Sequence, residues 1–242
     1  MATGGTSAAT GRSGTSADLR AISLLRDLDV GTAERLGARC QHVTYEPGET
    51  ILDHADPSTD VRFVITGDVR ILVRATEGRE YIMNDGGPGD VFGELSAIDG
   101  GGRSASVVAV TRVRCCLMPA PVFRNLIDAD AGVRWAIMER LVSLVRRLSD
   151  KLAEYSFLQA KHRIYIELHR LSVPRRGSDG ERAISPPPVQ RELADRIGSR
   201  REVVSRVMGD MERAGVVYRT KGALVIADPE RLEAMIRQGW EG

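Results

Sequence analysis

The chain has 242 residues and a formal net charge of +1, and its length allows one large domain or two ordinary ones. The balanced charge excludes a uniformly basic surface for nucleic acid, so only a local concentration of charge can indicate such a partner. The three cysteines fit neither a metal-ligand spacing nor a disulfide framework, and no apolar run is long enough to cross a membrane. We therefore expect a cytoplasmic protein with reduced cysteines, no metal site and no membrane partner.

The N-terminal segment divides into a polar tail and two helical stretches. Residues 1–17 are nearly all Gly, Ser, Thr and Ala, a composition that buries little apolar surface and predicts a disordered tail. A helical pattern begins at Asp18, and a second short helix is expected around Thr32–Ala38. The apolar residues of the first stretch are three apart: Leu19, Ile22, Leu25 and Leu28.

Residues 42–118 change to an alternation of apolar and polar side chains, which is typical of β-strands. Turn sequences such as Pro47-Gly48, Gly67-Asp68 and the run GGPG at residues 86–89 break this stretch into many short strands. Such a series predicts an antiparallel sandwich or roll.

The stretch Val91–Thr111, VFGELSAIDGGGRSASVVAVT, follows the strand that ends near Asp85 and leads into the strand that starts at Ser106, and we predict that it binds a ligand. Its three consecutive glycines allow backbone or ligand to approach closely. Arg103 offers a planar set of donors that suits a phosphate, with Ser104 as a neutral donor, and an ionised Glu94 suits the hydroxyl donors of a ribose. The pair therefore predicts a nucleotide site. The alternative is a glycine-rich hairpin in which Arg103 and Glu94 pair at the surface.

After about Pro121 the helical period returns, with a short helix over Val122–Asp128 and a long one from about Ala131 to Leu158. The apolar residues of the long helix are four and three apart: Ile137, Leu141, Leu144, Leu148, Tyr155 and Leu158. This heptad, interrupted at Lys151, predicts a dimerisation helix over residues 131–158 that pairs in parallel with a second copy. The alternative is a helix that packs on the roll of its own chain.

The last part of the chain, residues 159–242, is predicted to form a DNA-binding domain. A helix at about Lys161–Leu171 precedes a loop rich in helix breakers, and two short helices then meet in a tight turn at Gly198, as in a helix-turn-helix. The second of them begins at Ser199 or Arg200, and a hairpin around Lys221 predicts the wing of a winged helix. The exposed start of the second helix carries Arg200, Arg201, Glu202 and Arg206, which suit contact with DNA bases.

The local charge supports this assignment. Between Arg196 and Lys221 there are seven Arg and Lys residues against three Asp and Glu, an excess of four positive charges. Such a surplus suits contact with phosphates. The alternative is a helical protein–protein module with a solvated basic face.

Two of these motifs resemble known families. FGEL followed by RSAS is similar to the phosphate-binding cassette of cyclic-nucleotide-binding domains, and the YEPGETI and VITGDV turns resemble those of their double-stranded β-roll. LADRIGSRREVVSRVM resembles the recognition motif of the Crp/Fnr (catabolite activator protein-like) transcription regulators, with Arg201, Glu202 and Arg206 at its R-E-x-x-x-R core. Arg200 differs from the small residue often found before that core.

The resemblance implies an α+β protein with three parts: an N-terminal double-stranded, jelly-roll-like β-roll at residues 18–130, the dimerisation helix and a C-terminal winged helix-turn-helix. It implies that Glu94 accepts from the ribose 2′-OH and that Arg103 pairs with the cyclic phosphate. Ser104 and the backbone N–H groups near Gly93 and Leu95 would add donors.

The base end of the pocket is placed by the same resemblance. In the family the purine meets the dimer helices, which puts Leu148 and Ser149 near the base. Leu148 departs from the hydroxyl residue of related activators, and the neighbouring Ser149 retains a hydroxyl. Ser104 is also within reach of a guanine, so we favour cAMP over cGMP and keep both.

The function implied is a homodimeric regulator, controlled by cAMP or cGMP, that binds a palindromic operator in double-stranded DNA and works with RNA polymerase. An iron–sulfur sensor would need several N-terminal cysteines, and the first forty residues hold only Cys40. Nothing around His42 or His54 marks a haem pocket. No catalytic motif accompanies the cassette, which predicts a protein that is not an enzyme. The alternative is a regulator of this family that binds DNA without a nucleotide.

Overall fold

A computed structural model describes residues 19–75, 79–178 and 180–241, and the chain forms two compact units. The described part of the first unit covers residues 19–74 and 83–143. The described part of the second covers residues 75, 79–82, 144–178 and 180–241. The predicted tail over residues 1–17 lies outside the described residues. The predicted domain boundaries at residues 130 and 158 stay predictions.

The first unit begins with a 3₁₀ turn at Ser23–Leu25 and a helix, α1, at Val30–Gly37. The segment expected to be helical from Asp18 is therefore mostly a tight turn. Leu19 and its three apolar partners are all buried, because a spacing of three places side chains on one side of a 3₁₀ turn. The Asp29 side chain accepts a hydrogen bond from the Thr32 backbone N–H, which caps α1.

Among the described residues up to Met118, eight strands form two four-stranded sheets. One sheet has the order β1–β8–β3–β6 and the other the order β2–β7–β4–β5, with antiparallel pairing at β1–β8, β3–β8 and β4–β7. The bounds are β1 Gln41–Tyr45, β2 Thr50–Leu52, β3 Val61–Thr66, β4 Val69–Arg74, β5 Glu80–Gly86, β6 Val91–Phe92, β7 Ser106–Ala109 and β8 Val113–Met118. This is the roll that the alternation predicts.

Alternation along β3 divides the roll into two apolar cores. Phe63 belongs to the core shared with the helices, where its ring centroid lies 6.3 Å from that of Phe123, while Val64 belongs to the other core together with Cys115. Phe123 lies on α3, Ala120–Ala129, and a short helix, α2, covers Glu94–Asp99. The start of the long helix α4, Ala131–Phe157, joins the same core through Val133.

One face of α4 packs on its own roll, as the alternative interpretation expected. Ile137 is only 4% exposed and Leu141 packs against the same core, so they are not available to a second copy. Leu158 is also buried, and this part of the predicted heptad seam is wrong. Between Trp135 and Leu152, the exposed apolar side chains of α4 instead form a stripe offset by about one residue, here called the α4 stripe: Trp135, Met138, Val142, Val145 and Leu152, with Leu148 beside it.

The second unit contains four helices after α4, among its described residues, and a four-stranded sheet of order β11–β12–β10–β9. Their bounds are α5 Ala160–Leu171, β9 Val173–Pro174, β10 Arg182–Ile184, α6 Gln190–Arg196, α7 Arg201–Arg213, β11 Val217–Arg219, β12 Leu224–Ile226 and α8 Pro229–Glu241. A core built from Ile164, Leu193, Val204 and Leu224 holds these elements together. Among the described helices, none combines the length and the apolar character needed to span a bilayer.

Candidate functional site

Glycines set the path of the predicted cassette. Gly93 has φ +82° and precedes α2, and Gly100 has φ +74° and follows it. These left-handed conformations disfavour residues with a Cβ. At Gly93 space is also restricted, because a Cβ would lie 2.4 Å from Arg103 Nη1 and 2.7 Å from the Asp60 carbonyl oxygen. The Gly93 backbone therefore lies directly against the arginine predicted to bind phosphate.

This contact leads to a prediction about Gly93→Ala. We expect the variant to lose thermal stability and cyclic-nucleotide affinity, because its methyl group displaces the Arg103 guanidinium. Gly100→Ala is the matched control, since its φ is also positive but nothing lies within 4 Å of its Cβ. Thermal melting and calorimetric titration measure both effects. Equal losses in the two variants would show that backbone strain alone, and not the contact with Arg103, accounts for the result.

Arg103 is a buried cation, only 2% exposed. Its Nη1 donates to the Gly93 carbonyl at 3.1 Å, and its Nη2 donates to Ser58 Oγ at 2.9 Å and to the Asp60 carbonyl at 3.0 Å. Its Nε is buried and has no hydrogen-bond acceptor among the described residues. Burial and the nearby Arg62 lower the pKa of Arg103, but arginine remains charged in proteins. The site thus holds a buried positive charge with an unused donor.

Arg62, on β3, is a second buried arginine beside the first. Its Nη1 lies 3.4 Å from the same Asp60 carbonyl oxygen, and its Nη2 lies 3.7 Å from Asp56 Oδ2. Sequence reasoning missed Arg62, because in a strand pattern it occupies a polar position that normally faces solvent. The structural sign is a charged residue among the first four residues of β3, all of which are buried.

Glu94 is also buried, at 6% exposure, and its ion pair is with Arg140 on α4. Arg140 Nε lies 3.5 Å from Glu94 Oε1, and Arg140 also contacts the Val91 carbonyl and Asp90. The alternative of a surface pair between Arg103 and Glu94 is therefore not supported. Sequence reasoning missed Arg140, which reads as one of many charges on the long helix.

The other predicted pocket residues lie in different surroundings. Leu95 is half-buried and Ser104 is exposed, both in the first unit. Leu148 and Ser149 are exposed residues of α4 in the second unit. The structure brings Gly93, Glu94 and Arg103 together; the contact of Leu148 and Ser149 with a base stays a prediction. Within the described ranges, no group of three or more His, Cys, Asp or Glu side chains is arranged to hold a metal ion.

The predicted helix-turn-helix has its turn at Gly198, which adopts φ +59°. The second helix, α7, begins at Arg201, with Arg200 as its N-cap residue, one residue later than the latest start expected. Its buried residues recur at helical spacing: Val204, Val207, Met208 and Met211. Because these side chains face the core, the opposite side of the helix faces outward.

That outward side carries the predicted DNA-binding residues. Arg200, Arg201, Glu202 and Arg206 are all exposed, and Lys221 is exposed in the turn between β11 and β12. A groove along α6 and α7 is lined by Arg201 and Glu202 and by further polar residues that the sequence analysis did not select: Gln190, Arg191, Ser205 and Arg219. Arg219 Nε lies 3.1 Å from Glu212 Oε1, which keeps this strand arginine beside α7.

Comparison with known proteins identifies both units. The cyclic nucleotide-binding domain model matches residues 42–130, and the Crp-like helix-turn-helix domain model matches residues 156–235. The Cyclic AMP receptor protein of Thermus thermophilus is 30% identical over 193 residues, which cover 80% of this chain and 87% of that protein. The chain belongs to the Crp/Fnr family. This Crp/Fnr protein is therefore a DNA-binding transcription regulator with a cyclic-nucleotide-binding domain.

Other relatives agree with this placement. The CRP-like cAMP-activated global transcriptional regulator of Mycobacterium tuberculosis is 28% identical over 221 residues, which cover 90% of this Crp/Fnr chain and 98% of that protein. The structure of the c-di-GMP responsive global regulator CLP of Xanthomonas campestris matches with a TM-score of 0.69 and 22% identity, over 82% of this chain and 99% of that one. The predicted α+β fold, with a β-roll and a C-terminal winged helix-turn-helix, is confirmed.

Proposed function

We propose that this protein is a homodimeric regulator whose binding to a palindromic DNA operator is controlled by a cyclic nucleotide, with cAMP preferred over cGMP. The observation that carries the proposal is the buried Arg103, whose Nε has no acceptor among the described residues, beside the buried Glu94. A buried donor without a partner is costly, and an anion would satisfy it. The names of the Mycobacterium tuberculosis and Thermus thermophilus relatives favour cAMP.

The Glu94–Arg140 ion pair supports a route from the nucleotide to the long helix. A ribose hydroxyl that donates to Glu94 would share or replace the contact with Arg140, which lies on α4. Arg140 also contacts the Val91 carbonyl, so a change at Glu94 alters how this part of α4 is held. Nucleotide binding would thereby act on the helix that carries the α4 stripe.

The α4 stripe supports a dimer. Its residues Met138, Val142, Val145 and Leu152 are spaced by four, three and seven, and Ser149 occupies the position between Val145 and Leu152. A second copy of the same stripe would cover these apolar side chains, as in a coiled coil. Ser149 would then lie within the interface, and the contact of its hydroxyl with the base of the nucleotide stays a prediction.

This arrangement predicts the effect of Val145→Glu. Val145 is 61% exposed, so the substitution should leave the fold intact while placing a like charge from each copy in the interface. We expect the dimer to dissociate and DNA affinity to fall by at least about tenfold, because the two half-sites are no longer bound together. Arg147→Glu, also exposed on α4, is the control. A dimer that persists in sedimentation of Val145→Glu would place the interface elsewhere.

The helix-turn-helix supports direct base recognition. Arg201, Glu202 and Arg206 would reach base edges from α7, and Arg200 and Lys221 would contact phosphates or neighbouring bases. RNA polymerase as a further partner, the cytoplasmic location and the absence of an enzymatic activity rest on the family resemblance.

The test is calorimetric titration of ligand-stripped protein with cAMP and with cGMP, followed by DNA binding with and without each nucleotide. We expect a heat of binding on titration with cAMP, and we expect bound cAMP to raise or lower the affinity for the operator. No heat with either nucleotide would refute control by a cyclic nucleotide.

One observation favours a second candidate, a regulator that binds DNA without a nucleotide. Both Nη groups of Arg103 already donate to protein oxygens, and Glu94 already has Arg140 as its partner, so the site is largely satisfied by the chain itself. Such a regulator would bind its operator equally well with and without cAMP in a gel-shift assay.

A further inference from the structure

Within the second unit, charged side chains join the last turns of α4 to α5 and α6. We call them the Glu167 network: Lys151, Glu154, Glu167, Arg170, Glu192 and Arg196. Glu167, on α5, is its centre. One carboxylate oxygen lies 3.2 Å from Lys151 Nζ and 2.6 Å from Arg170 Nη1, and the other lies 3.7 Å from Arg196 Nη1. Three helices therefore meet at one carboxylate.

The central members of the network are buried. Glu154, Glu167 and Arg196 are each exposed by about 5% or less. A buried charge is tolerated only when opposite charges stay close to it. Sliding or rotating one of the three helices would separate Glu167 from a cation, so the network favours one arrangement of α4, α5 and α6.

A second contact joins the end of α4 to the turn of the helix-turn-helix. Arg163 Nη1 donates to the Leu158 carbonyl at 2.7 Å, and its Nε donates to the Ile197 carbonyl at 3.2 Å. The same guanidinium lies 4.7 Å from the centre of the Tyr155 ring. A Cβ on Gly198 would lie 3.0 Å from that ring, so the glycine also permits this close approach.

We propose that Lys151 and Glu167 are positioning residues for DNA binding, which hold the helix-turn-helix in one orientation relative to the end of α4. This inference rests on the proposed function in one respect, the dimer formed through α4. In a dimer, a fixed orientation sets the distance between the two copies of α7, and hence the spacing of the half-sites. It also explains Lys151, which interrupts the predicted heptad but contacts Glu167 and Glu154 of its own chain.

A network that only stabilises the fold would act differently. It would change the thermal midpoint and the affinity for all DNA sites in parallel. A positioning role instead affects the preference for one half-site spacing over another, while the affinity of one α7 for one half-site stays the same.

The test uses the full-length chain and an operator selected from random DNA by the unsubstituted protein. Affinities are measured for the selected spacing, for spacers changed by one base pair and for a single half-site. For Lys151→Met, we expect the preference for the selected spacing to fall about tenfold, because the two reading helices lose preorganisation. The affinity for a single half-site and the affinity for cAMP should each change by less than about twofold.

Two variants keep the result interpretable. Lys161→Met removes an exposed lysine of α5 by the same substitution and should leave the spacing preference unchanged. Lys151→Arg keeps the positive charge and should restore the preference, which also separates a lost ion pair from a failure to fold. An unchanged spacing preference in folded Lys151→Met would overturn the proposal. If the unsubstituted protein selects a single half-site, the dimeric function itself fails, which is a distinguishable outcome.

Discussion

Replacing Arg103 with leucine is expected to weaken cyclic-nucleotide binding by at least about 30-fold, with a loss of about 2–5 kcal/mol, as for truncation of one partner of a buried charge pair. The physical reason is that leucine supplies neither the charge nor the unused Nε donor. Arg103 also donates to Gly93, Ser58 and Asp60, so we expect some loss of thermal stability as well. Calorimetric titration with cAMP, together with thermal melting, measures the two effects separately.

A matched control is available in the same unit. Arg124 is exposed and donates to the Ala97 carbonyl, and Arg124→Leu should leave nucleotide affinity unchanged. Arg103→Lys retains the charge without the planar donor set and should give an intermediate affinity. If folded Arg103→Leu binds cAMP as tightly as the unsubstituted protein, the phosphate lies elsewhere.

The second large effect is expected for Glu202→Ala. Glu202 is exposed in the first turn of α7, and in the proposed complex its carboxylate would accept a hydrogen bond from a cytosine amino group. We expect nucleotide affinity to stay unchanged and discrimination at one base pair of each half-site to fall by about 1–3 kcal/mol. Competition between operators that differ at single positions provides the measurement.

Glu230→Ala, on the first turn of α8, is the control for Glu202→Ala because it removes another exposed glutamate from the same unit. It should retain full discrimination. A Glu202→Ala protein that still distinguishes every base pair of its half-site would show that α7 is not oriented as proposed, or that Arg201 and Arg206 alone read the sequence.

The helix-turn-helix was predictable because its signals are local. Gly198 takes the left-handed conformation that its place between two short helices requires, and the apolar residues of α7 recur at the period of a helix. The α4 stripe was not predictable in the same way. Ile137 and Val145 are both apolar residues of one helix, and only the position of the roll decides that Ile137 is buried while Val145 is exposed.

The residues around the cassette also divide into those that the sequence predicts and those that only the tertiary structure reveals. Arg103, Glu94 and Gly93 are close in the sequence, and their chemistry by itself predicts a nucleotide site. Arg62 and Arg140 come from a distant strand and from α4, and nothing near them in the sequence marks them as parts of that site. Their roles depend on which strand lies beside the cassette and on which face of α4 packs against it.

The sequence by itself thus determined the family and the order of the roll, the long helix and the helix-turn-helix, and it predicts the chemistry of Arg103, Glu94 and Arg201. The order of the elements follows from periodicity and turn residues, which neighbouring residues specify, while the family follows from the resemblance of two local motifs. Only the tertiary structure decided that Glu94 pairs with Arg140, that Lys151 contacts Glu167, and which stripe of α4 remains exposed. Those contacts join residues far apart in the chain, and burial, rather than local propensity, selects them.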